Sequence, residues 1–290
     1  MKFIIGQKIK FGFWMISAVI IGVFFVSLFF DNIPYEKIAK LNKNTAIAIE
    51  SLAPKETTPQ YSYFIKDPNQ KPKVSAGAFL VGDLDTGEVI LSKNQDKQFP
   101  LASVSKLMTA SIAEELTGSE DTTKISKKAL ATYGRNGNLK AGEKIKLTDL
   151  IYPLLLESSN DAAEAIAEYF GRDIFIKRMN QEAIKLELSK TTFEDPSGLS
   201  PKNQSTVLDM FKFAGYLNQK QPDLFKITTK RSYSDKKHNW SSTNQFLLED
   251  GYLGGKSGFT DPALQTVVSL FSVPLSETGD RHIAITLLQS

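Results

Sequence analysis

Phe99-Pro100-Leu101-Ala102-Ser103-Val104-Ser105-Lys106-Leu107-Met108-Thr109-Ala110 places a hydroxyl and an amine three residues apart at the head of an apolar run. Leu107, Met108, Ile112, Ala113 and Leu116 follow with helical periodicity. A helix beginning near Ser103 puts Ser103 and Lys106 on one face, where the amine reaches the hydroxyl and the helix N-terminus favours nearby negative charge. Read chemically, this is a nucleophile with its own base; read structurally, it is an ordinary helix start. The same spacing recurs at Ser234-Asp235-Lys236-Lys237. No apolar periodicity follows there, and that segment reads as a solvated polar run.

The chain has 290 residues, no cysteine and only two histidines, His238 and His282. That excludes disulfides and thiolate metal sites, and leaves no imidazole cluster for zinc or for a Ser-His-Asp triad. No metal and no cofactor is expected, so the chemistry falls to serine and lysine. A net charge of +3 over the whole chain gives no reason to invoke nucleic acid.

Residues 11–30 carry no charge, and at about 1.5 Å per residue such a run crosses a hydrocarbon core as a helix. Lys2, Lys8 and Lys10 precede it, and no small-x-small cleavage site follows. The expectation is an uncleaved transmembrane signal-anchor behind a short cytoplasmic tail, 1–10, rather than a buried core helix. Lys37, Lys40 and Lys43 on the far side match the three lysines on the near side, so lysine counting alone does not orient the span. Residues 31–75 carry Pro34, Pro54, Pro59, Pro68 and Pro72 in polar surroundings and read as a stalk. Residues 76–290 read as one folded domain.

Within that domain, 77–83 and 88–92 are apolar, β-branched runs around Leu84-Asp85-Thr86-Gly87, a hairpin composition. Further strands are expected at 252–257, 266–273 and 282–288. Helices are expected from Ser103, from a Thr148 cap, from Asp161 to a stop at Gly171, over 173–186 and over 206–217. Strands at both ends must meet in one sheet, so the stretch of about 107–220 becomes an inserted helical lobe. A site built from distant segments then lies in the cleft between lobe and sheet.

Two further patterns follow Ser103-Val104-Ser105-Lys106 in order: Ser158-Ser159-Asn160, then Lys256-Ser257-Gly258 between Gly255 and Phe259. Together they resemble the Ser-x-x-Lys, Ser-x-Asn and Lys-Thr/Ser-Gly set of the penicillin-recognising serine enzymes. Gly142-Glu143, Met179-Asn180, Asp195-Pro196-Ser197-Gly198-Leu199 and Ser205-Thr206 extend the similarity to the D-alanyl-D-alanine carboxypeptidases, the low-molecular-mass penicillin-binding proteins. From about Ala76 to Leu288 the resemblance is nearly continuous. It implies an α+β fold: a mainly antiparallel five-stranded sheet flanked by helices, with the helical lobe inserted.

The resemblance also implies roles. Ser103 attacks the carbonyl of the penultimate D-Ala of a peptidoglycan stem peptide, with Lys106 as base and Lys256 as the second cation that lowers its pKa. Ser158 passes a proton to the leaving amine and Asn160 hydrogen-bonds the substrate amide, although both also suit a helix cap. Ser257 takes the terminal carboxylate, Gly258 lets the peptide lie close, and the N–H groups of Ser103 and Phe259 form the oxyanion hole. β-Lactams are the expected inhibitors, and the catalytic domain is expected outside the cell membrane.

Departures from the family pattern are equally specific. Gln245 stands where several relatives have a basic residue, Asp261-Pro262-Ala263-Leu264-Gln265 lacks the usual turn glycine, and Glu187 replaces a frequent glycine as a surface change. A D,D-endopeptidase of the same family and a catalytically silent wall-binding scaffold are the alternatives. A class A β-lactamase is disfavoured, because Glu194-Asp195-Pro196-Ser197 does not resemble its Glu-x-x-x-Asn loop. The resembled enzymes generally continue into a further helix after the final strand, so a partly uncovered sheet face is expected here.

Overall fold

The computed structural model describes residues 72–275 and 279–290. The expected transmembrane segment and nearly all of the expected stalk lie outside the described residues. Among the described residues no helix is long and apolar enough to cross a membrane.

In chain order the first elements are β1 (Ala78–Asp83), β2 (Val89–Lys93), β3 (Phe99–Pro100), a short 3-10 helix (Ala102–Ser105) and α1 (Lys106–Leu116). There follow β4 (Thr122–Lys124), α2 (Lys127–Leu130), β5 (Lys144–Lys146), α3 (Leu147–Leu156), α4 (Asn160–Tyr169) and α5 (Arg172–Lys185). Then come β6 (Gln204–Ser205), α6 (Val207–Lys220), α7 (Pro222–Thr228), β7 (Ser232–Ser234) and β8 (Asn239–Ser241). The last three are β9 (Tyr252–Thr260), β10 (Leu264–Leu275) and β11 (Gly279–Leu288).

The main sheet has five strands in the order β2-β1-β11-β10-β9, and every neighbouring pair is antiparallel. β11 therefore sits at the centre, pairing with β1 from Ala78↔Leu288 to Asp83↔Ile283. The alternation of side chains sorts its two faces. Leu80, Val268, Leu270, Ala284 and Leu288 are buried on the side covered by α6, whose Val207, Met210, Phe213, Ala214 and Leu217 are buried in turn. Thr286 adds a hydroxyl bond to the Val207 carbonyl, 3.1 Å. On the other face Val81, Val267, Ile285 and Leu287 are only half-buried.

Between the sheet strands lies the helical lobe. In α1 every residue from Lys106 to Ala113 is buried, so this helix runs through the core rather than over its surface. Thr206 caps α6 by accepting from the Asp209 N–H at 3.0 Å, which fixes where that helix starts.

Four local expectations change. The α-helix starts at Lys106, so Ser103 stands on the 3-10 turn before it. Thr148 lies inside the first turn of α3, with Lys146 preceding the helix. Neither Ser158 nor Asn160 caps α4; Ser159 does, accepting from the Ala162 N–H at 2.9 Å. Glu187 is not merely a surface change: it has φ +55 immediately after α5, at the position where helices favour glycine. Leu264, in the turn that lacks the usual glycine, is left-handed too, at φ +53.

A non-glycine residue in that region costs about 1 kcal/mol. Glu187 is exposed, so its side chain offsets little of this. Glu187→Gly is expected to raise stability by about 0.5–1 kcal/mol, read as a higher urea midpoint with an unchanged slope.

Candidate active site

The first constraint on the site is steric. Ala102 has φ +47, a sparsely populated conformation for a residue with a β-carbon, and two glycines make room for the turn that carries it. A β-carbon on Gly198, itself at φ +87, would lie 1.8 Å from the Ala102 carbonyl oxygen. One on Gly258 would lie 2.5 Å from the Ser103 nitrogen. Strand β9 and the 194–203 loop therefore both pass in direct contact with the turn that carries Ser103. Thr266 in β10 ties the turn to β9, donating to the Leu101 carbonyl at 2.8 Å and to the Gly258 carbonyl at 3.3 Å.

Lys106 lies directly under Ser103 and is completely buried. Its Nζ is 3.0 Å from Ser103 Oγ, 2.7 Å from Asn160 Oδ1 and 2.6 Å from the Ser197 carbonyl. Burial is the main cause that holds its pKa well below the ordinary lysine value, and the charge of Lys256 is the second. Arg135 pushes in the same direction, whereas Asp195 and Asp161 oppose it. Lys256, also buried, has its pKa lowered to about 7 by desolvation first and Arg135 second. Its amine donates to the Ser257 carbonyl at 2.6 Å.

The carbonyl of Ser197 is placed by a loop that organises itself around Asp195. One buried carboxylate oxygen accepts from the N–H groups of Ser197 (2.7 Å) and Gly198 (2.6 Å), and the other from that of Ser200 (2.6 Å). Asn203 closes the loop, donating to the Asp195 carbonyl at 2.8 Å and to Ser105 Oγ at 3.2 Å. From the sequence, Asp195, Ser197 and Gly198 count towards the resemblance and against a β-lactamase loop but carry no role, and Asn203 is missed. Glu194, by contrast, faces solvent and pairs with Lys202 at 2.9 Å.

Ser158 occupies the link between α3 and α4 with φ +61 and is almost fully buried. The Ser159 N–H donates to the Pro153 carbonyl at 3.0 Å, which helps hold the link. Asn160, the first residue of α4, connects both sides of the site. Its Oδ1 accepts from Lys106, its Nδ2 donates to the Tyr133 carbonyl at 2.7 Å, and its N–H donates to the Arg135 carbonyl at 2.8 Å. Gly137 extends this anchorage: its N–H donates to Asp161 Oδ1 at 2.9 Å, and its carbonyl accepts from the buried Trp240 at 2.7 Å.

These groups open on a cleft of about 940 Å³ lined by Ser103, Ser158, Asn160, Lys256, Ser257, Gly258 and Phe259. All the expected site residues thus line one space, except Lys106, which is beneath it. Tyr133, Arg135, Thr243, Gln245 and Asp261 complete the walls. Two smaller cavities, of about 710 and 610 Å³, have none of the expected site residues in their walls. Strand β9 borders the cleft as the outermost strand of the sheet, so among the described residues one of its edges has no strand partner.

A buried lysine bonded to a serine one turn earlier, between a helical lobe and the edge of an antiparallel sheet, defines a serine acyl-transfer fold of the penicillin-recognising class. Residues 66–285 match the D-alanyl-D-alanine carboxypeptidase family, and the chain belongs to that family. It is 30% identical over 193 residues to the D-alanyl-D-alanine carboxypeptidase DacD of Salmonella typhimurium, covering 61% of this chain and 47% of the relative. It is 29% identical over 205 residues to the D-alanyl-D-alanine endopeptidase of Escherichia coli, covering 67% of this chain and 66% of that one. Among solved structures, penicillin-binding protein D2 of Listeria monocytogenes in its cefotaxime-bound form superposes with a TM-score of 0.66 at 29% identity, covering 76% of this chain and 92% of that one. Over the DacD proteins it matches first, the chain spans about half their length.

The depressed lysines have a measurable consequence. Unfolded Lys256 keeps its proton up to about pH 10, while the folded side chain releases it above about pH 7. Between those values the unfolded chain binds more protons, so stability rises with pH. Lys256→Met should flatten that rise by up to about 1.4 kcal/mol per pH unit, checked by urea midpoints at about pH 7 and about pH 9.

Proposed function

We propose that the chain is a membrane-anchored serine D,D-carboxypeptidase that removes the terminal D-Ala from peptidoglycan stem peptides and is acylated by β-lactams. The observation that carries this is the coordination of Lys106. As a neutral amine, Nζ spends its two N–H groups on the carbonyl oxygens of Asn160 and Ser197, at 2.7 and 2.6 Å, which leaves its lone pair for the Ser103 hydroxyl at 3.0 Å. That is the arrangement a general base needs.

Ser103 Oγ attacks the carbonyl carbon of the penultimate D-Ala and its proton passes to Lys106 Nζ. The C–N bond to the terminal D-Ala breaks, and the leaving amine takes up a proton through Ser158. Water then cleaves the ester and restores the hydroxyl. The N–H groups of Ser103 and Phe259 hold the developing oxyanion, each donor being worth about 3 kcal/mol. An extended peptide lies along the open edge of β9 as an added strand, with its terminal carboxylate at Ser257. The contact of Gly258 with the Ser103 turn keeps that strand close enough for both donors to reach one oxygen. The uncharged run at 11–30 supports the anchor and, with the wall substrate, an extracytoplasmic catalytic domain.

A cross-linked peptide is the second substrate reading. It is favoured by an identity to the endopeptidase close to that with the carboxypeptidase.

Intact-mass spectrometry of the full-length chain tests the proposal, with benzylpenicillin and separately with a peptide ending in D-Ala-D-Ala. The expected result is a stable penicilloyl adduct, absent in Ser103→Ala, together with release of D-Ala. An adduct without D-Ala release moves the assignment to the endopeptidase. Rapid turnover of penicillin contradicts the proposal, and no adduct on folded protein leaves only the scaffold reading.

A further inference from the structure

Arg135 is a cation without a carboxylate. Arg172, Arg178 and Arg281 each lie within ion-pair distance of an acidic side chain. Among the described residues Arg135 and Arg231 have no such partner, and of these two Arg135 is the one that lines the cleft. Its neighbours deepen the imbalance. Of the described residues lining the cleft, Arg135 and Lys256 are the cations and Asp261 is the one acid. Lys256 exchanges its proton near neutrality, while a guanidinium keeps its charge.

The loop that carries Arg135 is held by its backbone and offers its side chains. The carbonyls of Tyr133 and Arg135 are bonded by Asn160, and both the N–H and the carbonyl of Gly137 are bonded, by Asp161 and Trp240. The side chain of Tyr133 is nevertheless 85% exposed, and that of Arg135 is exposed beside it on the cleft wall. A fixed backbone that presents a guanidinium on the wall of a cleft with two cations and one acid offers an anion a place to bind.

We propose that Arg135 binds a carboxylate of the peptide substrate from the helical wall of the cleft. This rests on the cleft being the peptide-acylating site proposed above. The carboxylate has two sources in such a peptide, the C-terminus and an acidic side chain on the acyl-donor part. Either meets a planar fork that matches both oxygens at once.

The test measures binding in the full-length Ser103→Ala protein by calorimetry, so it does not depend on turnover. Three peptides ending in D-Ala-D-Ala are compared: one with an acidic side chain and free C-terminus, one with the C-terminus amidated, and one with the side chain amidated. One of the two blocked peptides is expected to bind about tenfold to a hundredfold more weakly than the free acid, and which one identifies the source. Adding Arg135→Gln should abolish that preference, and Arg135→Lys should restore part of it. A preference that survives Arg135→Gln, or no preference at all, overturns the proposal.

Turnover in the Ser103 background separates contact from a field acting on Lys106. If Arg135→Gln lowers kcat/KM for free and blocked peptides by the same factor and shifts the pH profile upward, the residue tunes the base and the proposal fails. Absence of a penicilloyl adduct in the unmodified chain would instead defeat the functional assignment, and the calorimetric comparison would still decide the role of Arg135.

Discussion

Burying Lys106 Nζ removes an amine from water, and the surrounding structure is arranged to make that tolerable. A charged ammonium there would face a large desolvation cost with Lys256 close by. The neutral form avoids the cost only if its two N–H groups find acceptors, and they come from separate segments: the Asn160 side chain at the head of α4 and the Ser197 carbonyl of the 194–203 loop. Any change that displaces either acceptor leaves a buried donor unsatisfied and alters the basicity of the same atom. With Lys106 as the proposed base, stability and reactivity are coupled through one nitrogen.

The rest of the architecture supplies positions for those acceptors. The sheet orients β9 so that Gly258 touches the Ser103 turn, and Gly198 brings the loop against the same turn from another direction. Asp195 gathers successive loop N–H groups on its carboxylate, which aims the Ser197 carbonyl without help from regular secondary structure. Asn160 does this on the helical side, serving Lys106 with one amide atom and the Tyr133 carbonyl with the other. The strained backbones of Ala102 and Ser158 lie within this framework, which over-determines them.

Much of this was legible in the sequence because it is local. Apolar, β-branched runs between turn residues marked β1, β2, β10 and β11, and Thr206 announced the start of α6. The three short motifs named the residues that line the cleft, and their order matched the resembled family. What escaped has physical reasons. The Ser197 carbonyl is a backbone atom and carries no residue-type signature. Ser158-Ser159-Asn160-Asp161 offers consecutive residues able to cap, and only the fold shows that Ser159 does so. Strands of two or three residues, such as β3 and β7, are too short to show a period. Glu187 and Leu264 were visible as departures from glycine, but their left-handed conformation was not.

The strand order sets a timetable for folding. β11 is the middle of the sheet, yet β1, which it must join through Ala78↔Leu288, is synthesised long before it. Until β11 arrives, β1 has only β2 beside it, and β10 lacks its partner on one side. Both present open edges that invite pairing with other chains. The helical lobe can collect its local contacts early, but closing the sheet waits for the contact of longest range, which slows the final step. A chain built this way favours being kept extended while it is made and completing its sheet in one late event, so that Ser103 gains the β9 wall of its cleft only when the domain closes.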